Sequence, residues 1–435
     1  MNNNATLITS LKTVVGRRPA RLAVGLALGL SMLFAFSTAA LAARNYYKIG
    51  VVTSLSGDYA LGGNLTKRGY STWARAVNAK GGIKVDGKRY KVKLVYADAQ
   101  SNPKSGADAA SRMIQSQEVD FIFGPYSSAV TLGVAPIAEK YQVPMVTGSA
   151  ESPEIWKHHF NFTFGTIPSV DMTAQAPIKY LTEQSPKPGS IAVIGINDPF
   201  SKAAATGFDE AAKKTGLKVD SFDVVPTHSD FSALLSKIKD ENPDILAVGG
   251  EPQDLIDVLK ASASINFSPK AIVMHYGITD AGFRKEVGST FGNYTIGITD
   301  WSPDANLKDD LFGTAKQYAQ AFEKHYNLTP DYTTAACSAT GEAFTAALQK
   351  IGAKPPLSRG QRVKLMKALE GIDIHTFYGP VNFAKSGAHF HDNSELKPMV
   401  VQVVDGDKYI ISPAKYKQHD VVYPRPPFSK LLNKQ

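Results

Sequence analysis

The stretch Phe123-Gly124-Pro125-Tyr126-Ser127-Ser128 closes one apolar run and leads into an amphipathic one, so Ser128 stands where a helix opens. A helix start carries unpaired amide donors and a partial positive charge, which makes Ser128 a candidate anchor for an anion as well as a plain helix cap. A second polar patch, Gly148-Ser149-Ala150-Glu151-Ser152, follows another apolar run. Hydrolysis by these serines would need a base, and nothing in the spacing places His158 or His159 beside them. The chain has no G-x-G-x-x-G after its first apolar run, no G-x-x-x-x-G-K-[ST], no G-x-S-x-G and no H-E-x-x-H. His389, His391 and Asp392 are metal-type ligands, yet they lie in a Gly-Ala-rich turn without a further ligand cluster, which reads as a solvated hairpin. The expectation is a site that holds a small molecule without transforming it: no catalytic residue, no metal and no cofactor.

The elements that must carry such a site alternate between short β-branched runs and longer amphipathic stretches, the pattern of parallel sheets with crossover helices. One unit comprises a strand over Tyr47–Thr53, a helix bearing Tyr70, Trp73, Ala74 and Val77 and ended by Gly81-Gly82, and a strand over Lys91–Tyr96. It continues with helix Lys104–Ser116, strand Val119–Phe123, helix Ala129–Tyr141 and strand Pro144–Thr147, and a further strand is read over Asn161–Phe164. A second unit repeats the grammar: strand Ser190–Gly195, helix Ser201–Thr215, strand Lys218–Val225 and helix Asp230–Lys239 with Asp230 as its cap. Strand Asp244–Val248, helix Gln253–Ala263 and strand Ala271–His275 complete it. Helices Lys308–Tyr326, Thr333–Ile351 and Arg359–Leu369 are expected to repack on the first unit, and strands Val381–Phe383 and Met399–Val404 on the second. The fold class is therefore α/β, two doubly wound lobes with the chain crossing between them three times and ligand at the carboxyl ends of the strands. The expected bounds are 44–165 plus 298–375 for lobe one and 166–297 plus 376–435 for lobe two. Three parallel connections restrict the lobes to opening and closing about a hinge.

Residues 1–43 read as a secretory signal. Lys12, Arg17, Arg18 and Arg21 precede the apolar segment Leu22–Phe36, and Ala40-Leu41-Ala42 supplies a small-residue cleavage pattern. The only cysteine, Cys337, is far from that cut, so neither a lipid anchor there nor an internal disulfide is expected. A freely diffusing exported carrier needs an enclosing compartment, which points to the periplasm of a Gram-negative bacterium. The formal charge of +9 falls to +5 once the leader's basic residues are set aside, 44 basic against 39 acidic, and lysines alternate with acids as on solvated helix faces. No nucleic-acid partner is expected. A length of 435 residues with 43% hydrophobic and 20% charged content suits two ordinary globular domains, and a monomer is expected.

Several segments in order resemble the leucine/isoleucine/valine-binding branch of the type I periplasmic solute-binding proteins of ABC transporters. They are Lys48-Ile49-Gly50-Val51 with Ser54-Leu55-Ser56-Gly57, Val77-Asn78-Ala79-Lys80-Gly81-Gly82-Ile83, and Phe123 to Ser128. Val143-Pro144-Met145-Val146 and Phe377-Tyr378-Gly379-Pro380-Val381 follow. The resemblance covers essentially the whole chain after the leader. It implies capture of an amino acid or related carboxylate or amide in the interlobe cleft and delivery to a membrane permease. An aromatic or aliphatic carboxylate, or presentation of the ligand to a membrane sensor, is the alternative.

The same resemblance implies the binding residues. Ser128, with backbone groups and the hydroxyl of Ser149-Ala150, would hold a ligand carboxylate. Glu151 departs from the threonine that relatives often carry, and beside a ligand carboxylate it must turn away, meet a cation or select another ligand. Where relatives hold the ammonium with an acid, Met274-His275-Tyr276-Gly277 offers Tyr276 or His275, so either Glu251, after Val248-Gly249-Gly250, or Glu151 is expected as the replacement anchor. Phe200 matches an aromatic lid position. Tyr126, Tyr332 and Trp301 are expected to line the cleft, with Tyr59 and Leu61 on a loop reaching over it. Ser128→Ala is expected to weaken binding and leave the fold intact.

Overall fold

The computed structural model describes residues 44–393 and 395–432. The expected leader lies outside the described residues. Two sheets dominate. The first is built from β1 (Tyr46–Thr53), β2 (Ile83–Val85), β3 (Lys88–Asp98), β4 (Phe121–Phe123), β5 (Met145–Thr147) and β6 (Thr163–Gly165), in the order β2-β3-β1-β4-β5-β6. All its pairings are parallel except that of β2 with β3. Between these strands run α1 (Ala60–Ala79), α2 (Pro103–Gln115), α3 (Ser128–Tyr141) and the short α4 (Pro153–Lys157). β4 and β5 are buried throughout, so they read as continuous apolar runs without alternation, as strands covered on both faces do.

The chain then enters the second lobe through α5 (Val170–Thr173) and α6 (Gln175–Leu181). There β7 (Ser190–Ile196), α7 (Pro199–Thr215), β8 (Lys218–Val225), α8 (Ser232–Glu241), β9 (Ile245–Gly249), α9 (Pro252–Ser264), β10 (Ala271–Met274), α10 (Ala281–Gly292) and β11 (Ile296–Thr299) follow. After β11 come a small ribbon of β12 (Lys308–Asp309) and β13 (Gly313–Thr314), then α11 (Ala315–Tyr326), α12 (Tyr332–Ile351) and α13 (Arg359–Glu370). The end of the chain holds β14 (Asp373–His375), β15 (Pro380–Asn382), β16 (Met399–Val404), β17 (Asp407–Ser412) and α14 (Phe428–Leu432). The second sheet is ordered β17-β16-β11-β10-β9-β7-β8, with β16 and β17 antiparallel at one edge.

Both sheets have a switch point, between β1 and β4 in the first and between β7 and β9 in the second, where the direction of winding reverses and a crevice opens beyond the strand ends. Two glycines bring structure close to these crevices. A Cβ on Gly62 in α1 would come within 2.3 Å of the Tyr126 ring, and one on Gly249 would come within 2.2 Å of the Ser201 carbonyl oxygen in α7. Any larger residue would push the ring or the helix out of place.

The three crossings are tied to one another. Gly165 N donates to His391 O at 3.0 Å, and Gly165 also bridges Asp392 in parallel register. Asn393 Nδ2 donates to Thr166 O at 3.0 Å and to Pro380 O at 2.9 Å. Trp301 Nε1 donates to Phe377 O at 3.0 Å, joining the second crossing to the third.

Several expectations are corrected. Lys308 opens the β12–β13 ribbon and the helix begins only at Ala315, because Thr314 caps it: its hydroxyl accepts from Gln317 N while Gln317 Oε1 accepts from Thr314 N. Val381 pairs with Ile374 in a separate two-stranded sheet and does not join the second large sheet. The helix after Asp230 starts at Ser232 with Phe231 in the cap position, although Asp230 Oδ1 does accept from Ser232 N at 2.9 Å. The His389–Asp392 turn is not solvated: His391 is buried, its ring stacked between Phe164 and Phe390 at centroid distances of 3.9 and 3.7 Å. Burial lowers its pKa to about 4. No group of three or more His, Cys, Asp or Glu among the described residues could hold a metal ion.

Candidate functional site

A cavity with about 240 Å³ of empty space lies where the two crevices face each other, lined by Tyr126, Ser127, Ser128, Ser149, Glu151, Phe200, Glu251 and Tyr276. Each lining residue sits just past the carboxyl end of a strand. Tyr126 to Ser128 follow β4, Ser149 and Glu151 follow β5, Phe200 follows β7, Glu251 follows β9 and Tyr276 follows β10. Only about 10 Å³ of that space can take the centre of a water-sized sphere, room for about one water, so in this form the side chains nearly fill the cleft and the lobes must part to admit a solute.

The first-lobe wall is a helix start. Ser127 is the cap residue of α3 but its side chain makes no capping bond, and its buried hydroxyl oxygen has no partner. The first-turn amides of a helix have no partner within the helix. Ser128 is the first helical residue. Its Oγ accepts from Glu151 N at 3.2 Å and from Ser152 N at 3.1 Å, so it fastens the loop after β5 to α3 and keeps only its own proton to donate. Ser149 Oγ donates to Pro125 O at 3.2 Å. Ala150 turns away from the cavity and packs with Ile155 and Trp156.

Two acids complete the site, one per lobe. Glu251 Oε2 accepts from Tyr126 Oη at 2.6 Å, a bond that crosses the cleft. Burial raises the Glu251 pKa to about 8, with Asp198 and Asp254 adding to the rise and the tyrosine proton opposing it. Glu151 Oε1 accepts from Tyr332 Oη at 3.1 Å, whereas its Oε2 is buried with no partner. Burial, then Asp300, hold its carboxyl well above the usual range, and Glu251 and Asp392 contribute in the same direction. Asp300 itself is 3% exposed, both of its oxygens lack partners, and burial raises its pKa to about 7.

Aromatic rings enclose the acids. Tyr276 lies 6.4 Å from Tyr126, 6.4 Å from Phe200 and 5.9 Å from Tyr332 between centroids, and its buried hydroxyl is unpartnered. Tyr59 is half-buried and its ring packs 6.3 Å from that of Tyr126. Asp198 fixes Phe200, its Oδ1 accepting from Phe200 N at 2.9 Å and from Ser201 N at 3.0 Å. Among the described residues, no lysine, arginine or histidine lines the cavity. His275, next to Tyr276, is held by Thr173 Oγ1 at 2.7 Å from its Nε2, and burial lowers its pKa to about 3, so it supplies no charge.

Besides Ala150 and Tyr59, three more expected positions stand apart from the cavity wall. Trp301 is fully buried in the hinge core against Tyr318 and Phe377. Leu61 is in the first turn of α1, 39% exposed, and not on a loop. Tyr332 lies behind Glu151 and acts on the cavity through that carboxylate. Ser127 and Asp300 went unread in the sequence. For Ser127 the signal was its place just before the helix; for Asp300 it was an acid ending the apolar strand Ile296–Thr299.

The profile of the periplasmic binding protein family matches residues 47–408. A Leu/Ile/Val-binding protein of Rhizobium johnstonii, BraC3, is 30% identical over 349 residues, covering 78% of this chain and 88% of that protein. A Leu/Ile/Val-binding protein homolog of Brucella melitensis is 26% identical over 348 residues, covering 78% and 87%. Among solved structures, the branched-chain amino acid transporter substrate-binding protein LivJ of Streptococcus pneumoniae, in complex with isoleucine, superposes with a TM-score of 0.72. It is 19% identical, with 85% of this chain and 100% of that chain covered. A solute-binding protein of an ABC transporter from R. palustris, in complex with benzoate, gives a TM-score of 0.71 at 19% identity, covering 86% and 98%.

Proposed function

Because the chain belongs to the periplasmic binding protein family, we propose that it captures a small amine-bearing solute, in the first instance an amino acid, and delivers it to the permease of an ABC importer. The observation that carries this reading is a narrow cleft with an uncapped helix start on one wall and a carboxyl, Glu251, on the other. Open amides with the Ser127 and Ser128 hydroxyls suit a ligand carboxylate, and Glu251 suits an ammonium. A ligand without an amine would leave both carboxyls without a cation to pair with.

The chain works as a monomer, exported by cleavage after a leader and without a lipid anchor, in the periplasm of a Gram-negative cell. Its lobes are bounded near residues 165, 297 and 375, and it has no catalytic step. Among the described residues no helix is long and apolar enough to cross a membrane. Thermal shift of the chain lacking residues 1–43, against amino acids, amides and carboxylates, tests the reading. A rise in melting temperature with at least one amine-bearing solute is expected. A rise confined to carboxylates without an amine would sink it.

A further inference from the structure

Once ionised, the two acids of the cleft bring more negative charge than a net-neutral amino acid can balance. Glu151 and Glu251 project from opposite lobes, 5% and 7% exposed, and each has one oxygen engaged by a tyrosine hydroxyl. Glu151 Oε2 remains buried without any partner, and among the described residues no basic side chain lines the cavity to compensate. One ammonium satisfies one acid. A ligand carboxylate at the start of α3 would return the site to excess negative charge.

The walls between the acids are faces and edges of aromatic rings. Tyr126, Phe200 and Tyr276 line the same space, the Tyr276 ring centroid 6.4 Å from each of the other two, and Tyr332 stands behind Glu151. Rings in this arrangement attract a desolvated cation through their quadrupoles. The Tyr276 hydroxyl, buried and unpartnered, offers a further acceptor for an N–H. Carboxylates and aromatic faces together discriminate in one direction, toward positive charge on nitrogen.

From this arrangement we infer that the physiological ligand is a short solute of net positive charge, an ammonium-, amidinium- or guanidinium-bearing compound whose cationic nitrogen lies between Glu151 and Glu251 within the aromatic enclosure. The inference rests on the solute-binding reading above and narrows its ligand class. A carboxylate on the ligand is admissible at α3 only when a second positive group accompanies it. Glu151, whose Oε2 is buried without a partner, is the residue that gives the pocket its second acid and its preference for a cation. The raised carboxyl pKa values fit the same picture: without a cation the acids retain protons, and an entering cation displaces them.

The test is isothermal titration of the chain lacking residues 1–43, near neutral pH, with five probes: L-isoleucine, benzoate, L-2,4-diaminobutyrate, putrescine and agmatine. At least one of the three cationic probes should bind about tenfold or more tighter than isoleucine. Glu151→Gln, which keeps the side-chain volume, should remove about tenfold or more of that affinity, a larger loss than it causes for isoleucine. Titration of the unaltered protein in two buffers of different ionisation enthalpy should show proton release on cation binding, and it stands as evidence even where the variant fails to fold. Tightest binding by isoleucine, indifference of cation affinity to Glu151→Gln, or cation binding without proton release would each overturn the inference and leave the solute-binding reading standing. If no amine probe binds at all, both fall.

Discussion

Tyr126 Oη and Glu251 Oε2 lie 2.6 Å apart, and this contact joins the β4 turn of one lobe to the β9 end of the other across the cavity. A hydrogen bond to an ionisable partner contributes about 1.5–3 kcal/mol when the partner is charged, and about half that when it is neutral. In either state it favours the closed form.

Tyr126→Phe should therefore move the ligand-free protein toward the open form. The expected readout is a larger radius of gyration in solution scattering without ligand, collapsing to the wild-type value when a saturating ligand is added. An unchanged ligand-free radius would show that the contact does not govern closure.

Ser128→Ala should lower both ligand affinity and stability. The hydroxyl oxygen accepts the amides of Glu151 and Ser152, so its loss leaves two buried donors unpaired, about 1–3 kcal/mol for each in the limit that no water replaces it. Chemical denaturation checks this, and wild-type stability would refute the fastening role. The outcome differs from the sequence-based expectation of an intact fold, because that expectation treated Ser128 as a ligand contact alone.

Tyr276→Phe should keep or slightly raise stability, since the hydroxyl it removes is buried and makes no hydrogen bond. A gain of about 1 kcal/mol is expected in the ligand-free protein, with a loss of affinity for any ligand that uses that oxygen. A clear destabilisation would mean that the hydroxyl has a partner in solution.

Ligand-free stability should fall as pH rises. The Glu251 carboxyl has its folded pKa raised from 4.5 to about 8, so between those values the folded chain binds more protons than the unfolded one. The stabilisation is complete below about pH 4.5 and is lost as pH rises through about 8, at up to about 1.4 kcal/mol per pH unit for one such group. Asp300, raised to about 7, acts in the same direction. Melting temperatures measured from acidic to alkaline pH should decline, and Glu251→Gln should flatten the slope. A profile that rises over this window would contradict the assignment.

The two-lobed plan was legible because buried parallel strands produce apolar runs and crossover helices produce amphipathic ones, and both signals are local. The β2–β3 hairpin was missed because its strand Ile83–Val85 is three residues long and its turn at Asp86-Gly87 sits among charged residues. Val381 was misplaced because an apolar strand does not announce which sheet it joins. In the site, single positions such as Ser128, Glu251 and Phe200 could be named from the family resemblance, which ties ligand contacts to particular strand ends. The meeting of Tyr126 with Glu251, 125 positions apart, could not, since it depends on how far two separate sheets close toward each other. The orphaned oxygen of Glu151 was equally unreadable, as it is defined by what surrounds it.

The crossings at Gly165, Trp301 and Phe377 are bound to each other through Asp392, Asn393 and the Trp301 indole. Strands braided in this way bend together, and shear or twist of one lobe over the other would break the braid. The molecule's conformation then reduces to a single angle. Whatever docks across both lobes can measure occupancy as that angle, without touching the solute or knowing its identity.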